Sequence, residues 1–179
     1  MKAEVRRIKD EGGRQREPAR LNFRPLTETD ARAILGWQYA PPYDFYNHDP
    51  VEADADLAVL LDPANAYHAI VDEHGELMGF CCFGPDARVP GGDYAEEGSL
   101  DIGAGVRPNR TDQGAGGSFI AAIVAFGQER YSPPAFRATI AAFKHRSIRA
   151  RETAGFRQTA RFHSTSGREF VILIRAATR

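Results

Sequence analysis

Hydrophobic positions recur along the chain in two rhythms, one of two residues and one near 3.6, and their alternation predicts the elements. RLNFRPL (20–26) sets Leu21, Phe23 and Pro25 against Asn22 and Arg24, the pattern of a half-buried first strand. TETDARAILGW follows as a helix, with Thr27 and Asp30 placed as a capping box in which Asp stands for the usual Glu. QYAPPYDFYNHDP (38–50) is aromatic and broken by proline, so no regular element is expected there. VEADADLAVLLDP (51–63) is acidic first and apolar later, as a short helix is. AYHAIVDE and ELMGFCCFG flank His74–Gly75 and predict a hairpin. A loop rich in Pro and Gly (85–98) leads to a strand at 99–106, and an apolar helix is predicted from about 114 to 129. In that helix Phe119, Ile123 and Phe126 make one stripe with Ile120 and Val124 beside it, a width that means deep burial. AFRATIAA (135–142) reads as a strand and RSIRARETAG (146–155) as a short helix closed by Gly155. FRQTARFH and EFVILIRA are two last strands joined at Ser164–Gly167.

The predicted order is β, α, α, β, β, β, α, β, α, β, β, with no internal repeat. The strand–helix–strand unit between 99–106 and 135–142 favours parallel pairing, and the hairpins on either side are antiparallel. A mixed sheet follows. The 179 residues suit one domain, read here as 19–179 after a charged, flexible tail at 1–18. A net charge of −1 supplies no basic field for nucleic acid, so no nucleic-acid partner is expected. No apolar run approaches the roughly 18–20 residues of a membrane span, and the first twenty residues carry no secretory h-region. Cys81 and Cys82 are adjacent, where strand neighbours point to opposite faces; they read as core thiols of a reduced, cytoplasmic protein. The five histidines form no metal-binding pattern, and no metal site is expected.

The stretch GVRPNRTDQGAGGSF (105–119) places glycines where a strand hands over to a helix. A helix N-terminus carries free N–H groups and partial positive charge, and glycines let a ligand reach the backbone, so the segment suits a pyrophosphate. It is not a Walker loop, because no Lys follows the glycines. It is not a dinucleotide turn, because Phe119 stands where the third Gly is needed. The segment resembles motif A of the GCN5-related N-acetyltransferases, strand, V-x-P, [QR]-x-x-G-x-[GA], helix: Val106-Arg107-Pro108 matches V-x-P, and Gly114 and Gly116 match the small positions. FKHRSIRARETAGF (143–156) is similar to that family's motif B through Ile148, Glu152, Gly155 and Phe156. Departures are Thr111 at the Gln/Arg position, Lys144 at the usual Asn and Arg151 at the usual Tyr, which in many relatives protonates the leaving thiolate.

The resemblance implies an α+β (α/β/α) GNAT fold: a mixed, mostly antiparallel sheet of six to seven strands with a central parallel pair and helices on both faces. It implies an acyl-CoA-dependent N-acyltransferase, with acetyl-CoA as co-substrate and direct attack by the amine in a ternary complex. By the same resemblance, Ala104, Gly105 and Val106 grip the pantetheine arm. Thr111, Gln113, Gly114, Ala115, Gly116 and Gly117 hold the diphosphate, and Lys144 and Arg149 lie near the cofactor phosphates. Close sheet packing is an equal account of Gly103 and Gly105.

An amine arrives charged, with a pKa near ~10.4, so a base must take its proton. Asp101 is the first candidate, with a purely structural hydrogen-bonding role as its alternative; Glu97 (with Glu96) is the second. Trp37, Tyr43 and Tyr46 suit a pocket for a cationic amine, or else cap a core. The 85–98 loop is placed to close that pocket with an acidic lip of Asp93, Glu96 and Glu97. The acceptor is expected to be a small-molecule or peptide amine, with no membrane partner, and a homodimer is one assembly the chain allows. Two rivals stand beside this reading: a non-catalytic acyl-CoA sensor, motivated by Arg151 and Thr111, and a nucleotide-phosphate binder on an unrelated α/β fold.

Overall fold

The computed structural model describes residues 21–95, 98–110 and 116–177. Seven strands form one sheet: β1 (Asn22–Pro25), β2 (His68–Val71), β3 (Leu77–Phe83), β4 (Ser99–Val106), β5 (Ala135–Ala141), β6 (Arg157–His163) and β7 (Glu169–Ala176). Their order is β1-β2-β3-β4-β5-β7-β6. Among the described residues only β4 and β5 run parallel; the other pairings are antiparallel. The helices are α1 (Glu28–Leu35), α2 (Ala53–Leu61), α3 (Gly116–Tyr131) and α4 (His145–Thr153). The element order is the one read from the sequence. The tail expected at 1–18 lies outside the described residues.

Local chemistry explains the boundaries. The predicted capping box forms at α1: Asp30 N–H donates to Thr27 Oγ1 at 3.3 Å, and Thr27 N–H donates to Asp30 Oδ2 at 2.9 Å. Gly155 adopts φ +90 just past α4; its N–H donates to Glu152 O while Phe156 N–H donates to Arg151 O, a Schellman closure. The β2–β3 turn is closed by Gly75 at φ +81 and by Asp72, whose carboxylate accepts from His74 N–H and Glu76 N–H. In β1 the alternation holds for Leu21 and Phe23, but Pro25 is exposed.

Two cores flank the sheet. One packs α3 against it through Phe119, Ile120, Ile123 and Val124, with Cys81, Phe83, Phe136, Val171 and Leu173 facing them. The other joins Ala31, Ile34 and Trp37 to Leu60 and rests on Phe80 and Tyr67. The wide stripe predicted for α3 is buried, except that Phe126 is half-exposed and stacks on Phe23 at 4.6 Å between ring centres.

Candidate active site

The sheet forks at its centre. β4 and β5 pair only from Ser99–Asp101 against Ala135–Arg137. Beyond that point β4 continues along β3 as far as Val106, and β5 continues along β7 as far as Ala141. Each strand is therefore held by its antiparallel neighbour while the parallel pair opens. Arg107 N–H donates to Met78 O, and Asp101 O accepts from Gly84 N–H, so the odd-numbered backbone groups of β4 face β3. Strand alternation turns the N–H groups of Ala104 and Val106 toward the opening. One lip of the fork is thus a strand edge able to pair with the amides of an extended ligand arm.

The glycines of this strand serve the sheet. A Cβ on Gly103 would lie 2.5 Å from Cys82 Sγ, and one on Gly105 would lie 2.4 Å from the Phe80 ring. Both neighbours belong to β3. At the head of α3, a Cβ on Gly116 would stand 3.1 Å from Ala150 Cβ, and one on Gly117 would stand 2.9 Å from Thr153 Cγ2. These two glycines let α4 lie close against α3, which sets α4 beside the fork. Thr111, Gln113, Gly114 and Ala115 lie outside the described residues.

A cavity of about 270 Å³ occupies the space between the two arms. β4 contributes Ile102, Gly103 and Ala104; β5 contributes Thr139 and Ile140. Tyr67, Cys82 and Asp86 also line it, with the Tyr67 hydroxyl donating to Asp86 Oδ2 at 2.5 Å. Tyr46, Lys144, Ser147 and Arg151 line it as well. Lys144 Nζ lies 3.8 Å from the centre of the Tyr46 ring. Burial first, then repulsion from Arg151, brings the Lys144 ammonium down to about 8. Burial pushes the Tyr46 phenol up to about 12 and the Cys82 thiol to about 12, so Cys82 stays a protonated wall of the cavity.

Asp101 sits at the crotch of the fork and does not line the cavity. It is 2 % exposed, as is Arg137. Its Oδ1 accepts from Arg137 Nε at 2.6 Å, and its Oδ2 accepts from Arg137 Nη2 at 2.9 Å and from Arg88 Nε at 2.7 Å. Tyr94 covers the group: its ring faces both Arg137 and Arg88, and its hydroxyl meets Thr139 Oγ1 at 3.1 Å. Glu96 and Glu97 lie outside the described residues.

The three aromatic candidates separate. Trp37 is buried in the second core, against Phe80. Tyr43 stacks on Phe143 and lies under Arg146. Tyr46 alone of the three lines the cavity, and Lys144 already covers its face. Tyr43 and Tyr46 thus each carry one of the chain's own cations, as the neighbouring Phe45 carries Arg168. Of the cofactor candidates, Ala104 and Lys144 line the cavity, Gly105 and Val106 continue the lip, and Arg149 is exposed on α4. Sequence reasoning missed Tyr67, Asp86 and Arg88. Asp86 and Arg88 sit in the loop expected to close the pocket, but only the short 3₁₀ turn Pro85–Ala87 aims them inward. Tyr67 carried no signal, since it precedes β2 as an ordinary aromatic.

A mixed sheet that opens between two parallel central strands, with backbone donors along one lip, is the geometry that an extended, amide-bearing ligand arm can enter. The family model for the acetyltransferase (GNAT) domain matches residues 20–157. No curated protein matches the sequence. Among solved structures, a chimera of spermidine N-acetyltransferase SpeG from Vibrio cholerae and hSSAT is 16% identical, with 87% of this chain and 95% of that one covered at TM-score 0.67. The GNAT-family acetyltransferase from Bacillus anthracis is 15% identical over 89% and 96% at TM-score 0.68. Aminoglycoside acetyltransferase AAC(6')-Ib in complex with coenzyme A is 17% identical over 88% and 95%, also at 0.68. At these identities the likeness is one of fold. The chain belongs to the GNAT acetyltransferase family, whose activity is acyl-CoA-dependent N-acetylation with acetyl-CoA as co-substrate.

Proposed function

We propose that this N-acetyltransferase acts on a small primary amine, which enters the cavity beside Asp86 and Tyr67 and attacks the thioester directly. The observation that carries the reading is the fork, whose Ala104 and Val106 amides face an opening that leads straight into the cavity. When bound, acetyl-CoA supplies the activated acyl group. The pantetheine amides match the Ala104 and Val106 N–H groups of the strand edge, where Tyr39 already donates to the Val106 carbonyl, and the family motif assigns the diphosphate to the residues before α3, Thr111, Gln113 and Gly114 among them. Asp86 draws the ammonium in, and the same carboxylate, directly or through water, takes its proton. Glu97 is the second candidate for that role. Asp101 is assigned to structure, because three guanidinium hydrogen bonds occupy its oxygens. Small amines are favoured by the fold relatives that act on spermidine and on aminoglycosides. A cytoplasmic setting is supported by the two free, buried cysteines. Among the described residues no helix is long and apolar enough to cross a membrane.

Release of free thiol from acetyl-CoA over a panel of polyamines, aminoglycosides, amino acids and peptides tests the assignment. Turnover with at least one small amine, lost on Asp86→Ala, is the expected result. Tight CoA binding with no turnover on any amine would instead mark the chain as a sensor.

A further inference from the structure

Two cations, Lys144 and Arg151, line one cavity together. Arg151 is 8 % exposed, and the acceptor its guanidinium meets among the described residues is the Ser147 carbonyl at 3.4 Å. Lys144 comes from the N-cap of α4 and lies over the Tyr46 ring. Among the described residues no carboxylate stands within ion-pair distance of either group. Asp86 lines the same cavity, where its Oδ2 accepts from Tyr67, but it forms no ion pair with either cation. Arg168, which lies over Phe45 and Phe143 and acts electrostatically on Tyr46, adds to the positive field. Buried charges of one sign carry a desolvation penalty that an ion pair offsets and mutual repulsion increases.

We propose that Lys144 and Arg151 form an anion subsite that takes a carboxylate carried by a substrate. The source is either the far end of a dicarboxylic acyl group on the CoA thioester or the carboxylate of the acceptor amine. This rests on the acyl-transfer reading and narrows its substrate class. Three features favour a carboxylate over the other anions available. The departing thiolate exists only during turnover and cannot offset the burial of Arg151 in the resting protein. The guanidinium presents a planar fork that matches two coplanar oxygens rather than a single sulphur. The adjoining walls, Ile140 and Phe170, suit a flat group on a short alkyl chain better than a hydrated phosphate.

The site also predicts its own signature. An anion beside Lys144 restores the proton that burial and Arg151 weaken, so binding near pH 8 takes up protons. The test is calorimetry at pH 8 in two buffers of different ionisation enthalpy, with succinyl-CoA against acetyl-CoA. A second arm compares the KM of an amino acid with that of its decarboxylated amine. The expected result is a gain of about tenfold or more for the carboxylate-bearing member of one arm, the scale of a charge-assisted pair. Net proton uptake accompanies it when that ligand is titrated. Both the gain and the uptake disappear in Lys144→Met, and the gain disappears in Arg151→Gln. If Arg151→Gln fails to fold, the Lys144 variant and the wild-type proton count decide alone. Parity in both arms, or a preference that survives Lys144→Met, overturns the subsite while leaving acyl transfer intact. A thioester that does not bind at all overturns the acyl-transfer reading and the subsite with it.

Discussion

Asp101 and Arg137 face each other at the last paired rung of the parallel strands, joined by hydrogen bonds of 2.6 and 2.9 Å. Immediately beyond them the strands part. The pair therefore fixes where the fork begins. Removing one member of a buried pair strands the other charge, at a cost of about 3–5 kcal/mol. Asp101→Asn and Arg137→Met should each lower the unfolding free energy read from urea titration by that order, and the double replacement Asp101→Leu with Arg137→Met should cost less than the sum of the two singles. A stable Asp101→Asn whose alkaline rate limb had vanished would return Asp101 to the role of base.

Asp30 gives a pH-dependent contribution of predictable sign. The Arg24 guanidinium, followed by Thr27, holds its carboxyl down from 3.8 to about 2. A depressed carboxyl stabilises the fold above its unfolded value and loses that contribution as pH falls from about 4 toward 2. Asp30→Asn should cost on the order of 1 kcal/mol at pH 7, the worth of a helix cap, and close to nothing at pH 2. Thermal melts of both proteins across that interval check it.

Lys144 acts in the opposite direction along the pH axis. Its folded value of about 8 lies below the ordinary 10.5, so between these limits the unfolded chain binds more protons. Stability should then rise with pH from about 8 toward 10 in the wild type relative to Lys144→Met. Parallel urea curves for the two proteins over that range would contradict the burial of the ammonium.

Gly127 sets helix propensity against packing. Alanine in a helix interior gains about 1 kcal/mol over glycine. Here its Cβ would stand 2.8 Å from the Phe83 ring and 3.0 Å from the Phe136 ring, and overpacking of this kind costs about 1–3 kcal/mol. Both rings are fixed in the core, so Gly127→Ala should destabilise. A raised melting temperature would show that the rings can move aside.

The sequence by itself determined the elements, because each rests on local physics. Thr27 with Asp30 starts α1, Gly155 ends α4, and the two-residue alternation or the 3.6-residue stripe assigns each segment to a strand or a helix. Motif spacing also carried the family, since Val106, Pro108 and Gly155 mark where strand and helix change over. What only the tertiary structure decided is how charges meet across the sheet. Asp101 reads as a lone carboxylate until Arg137, thirty-six positions on, and Arg88 close around it. Tyr43 and Tyr46 read as aromatics suited to a substrate cation, and only the fold shows Arg146 and Lys144 over their rings. Lys144 reads as a cation near the cofactor phosphates and Arg151 as a departure at the usual Tyr, and it is the packing of α4 on α3 through Gly116 and Gly117 that brings both to one cavity. Burial and long-range pairing are properties of the closed sheet, and no local spacing encodes them.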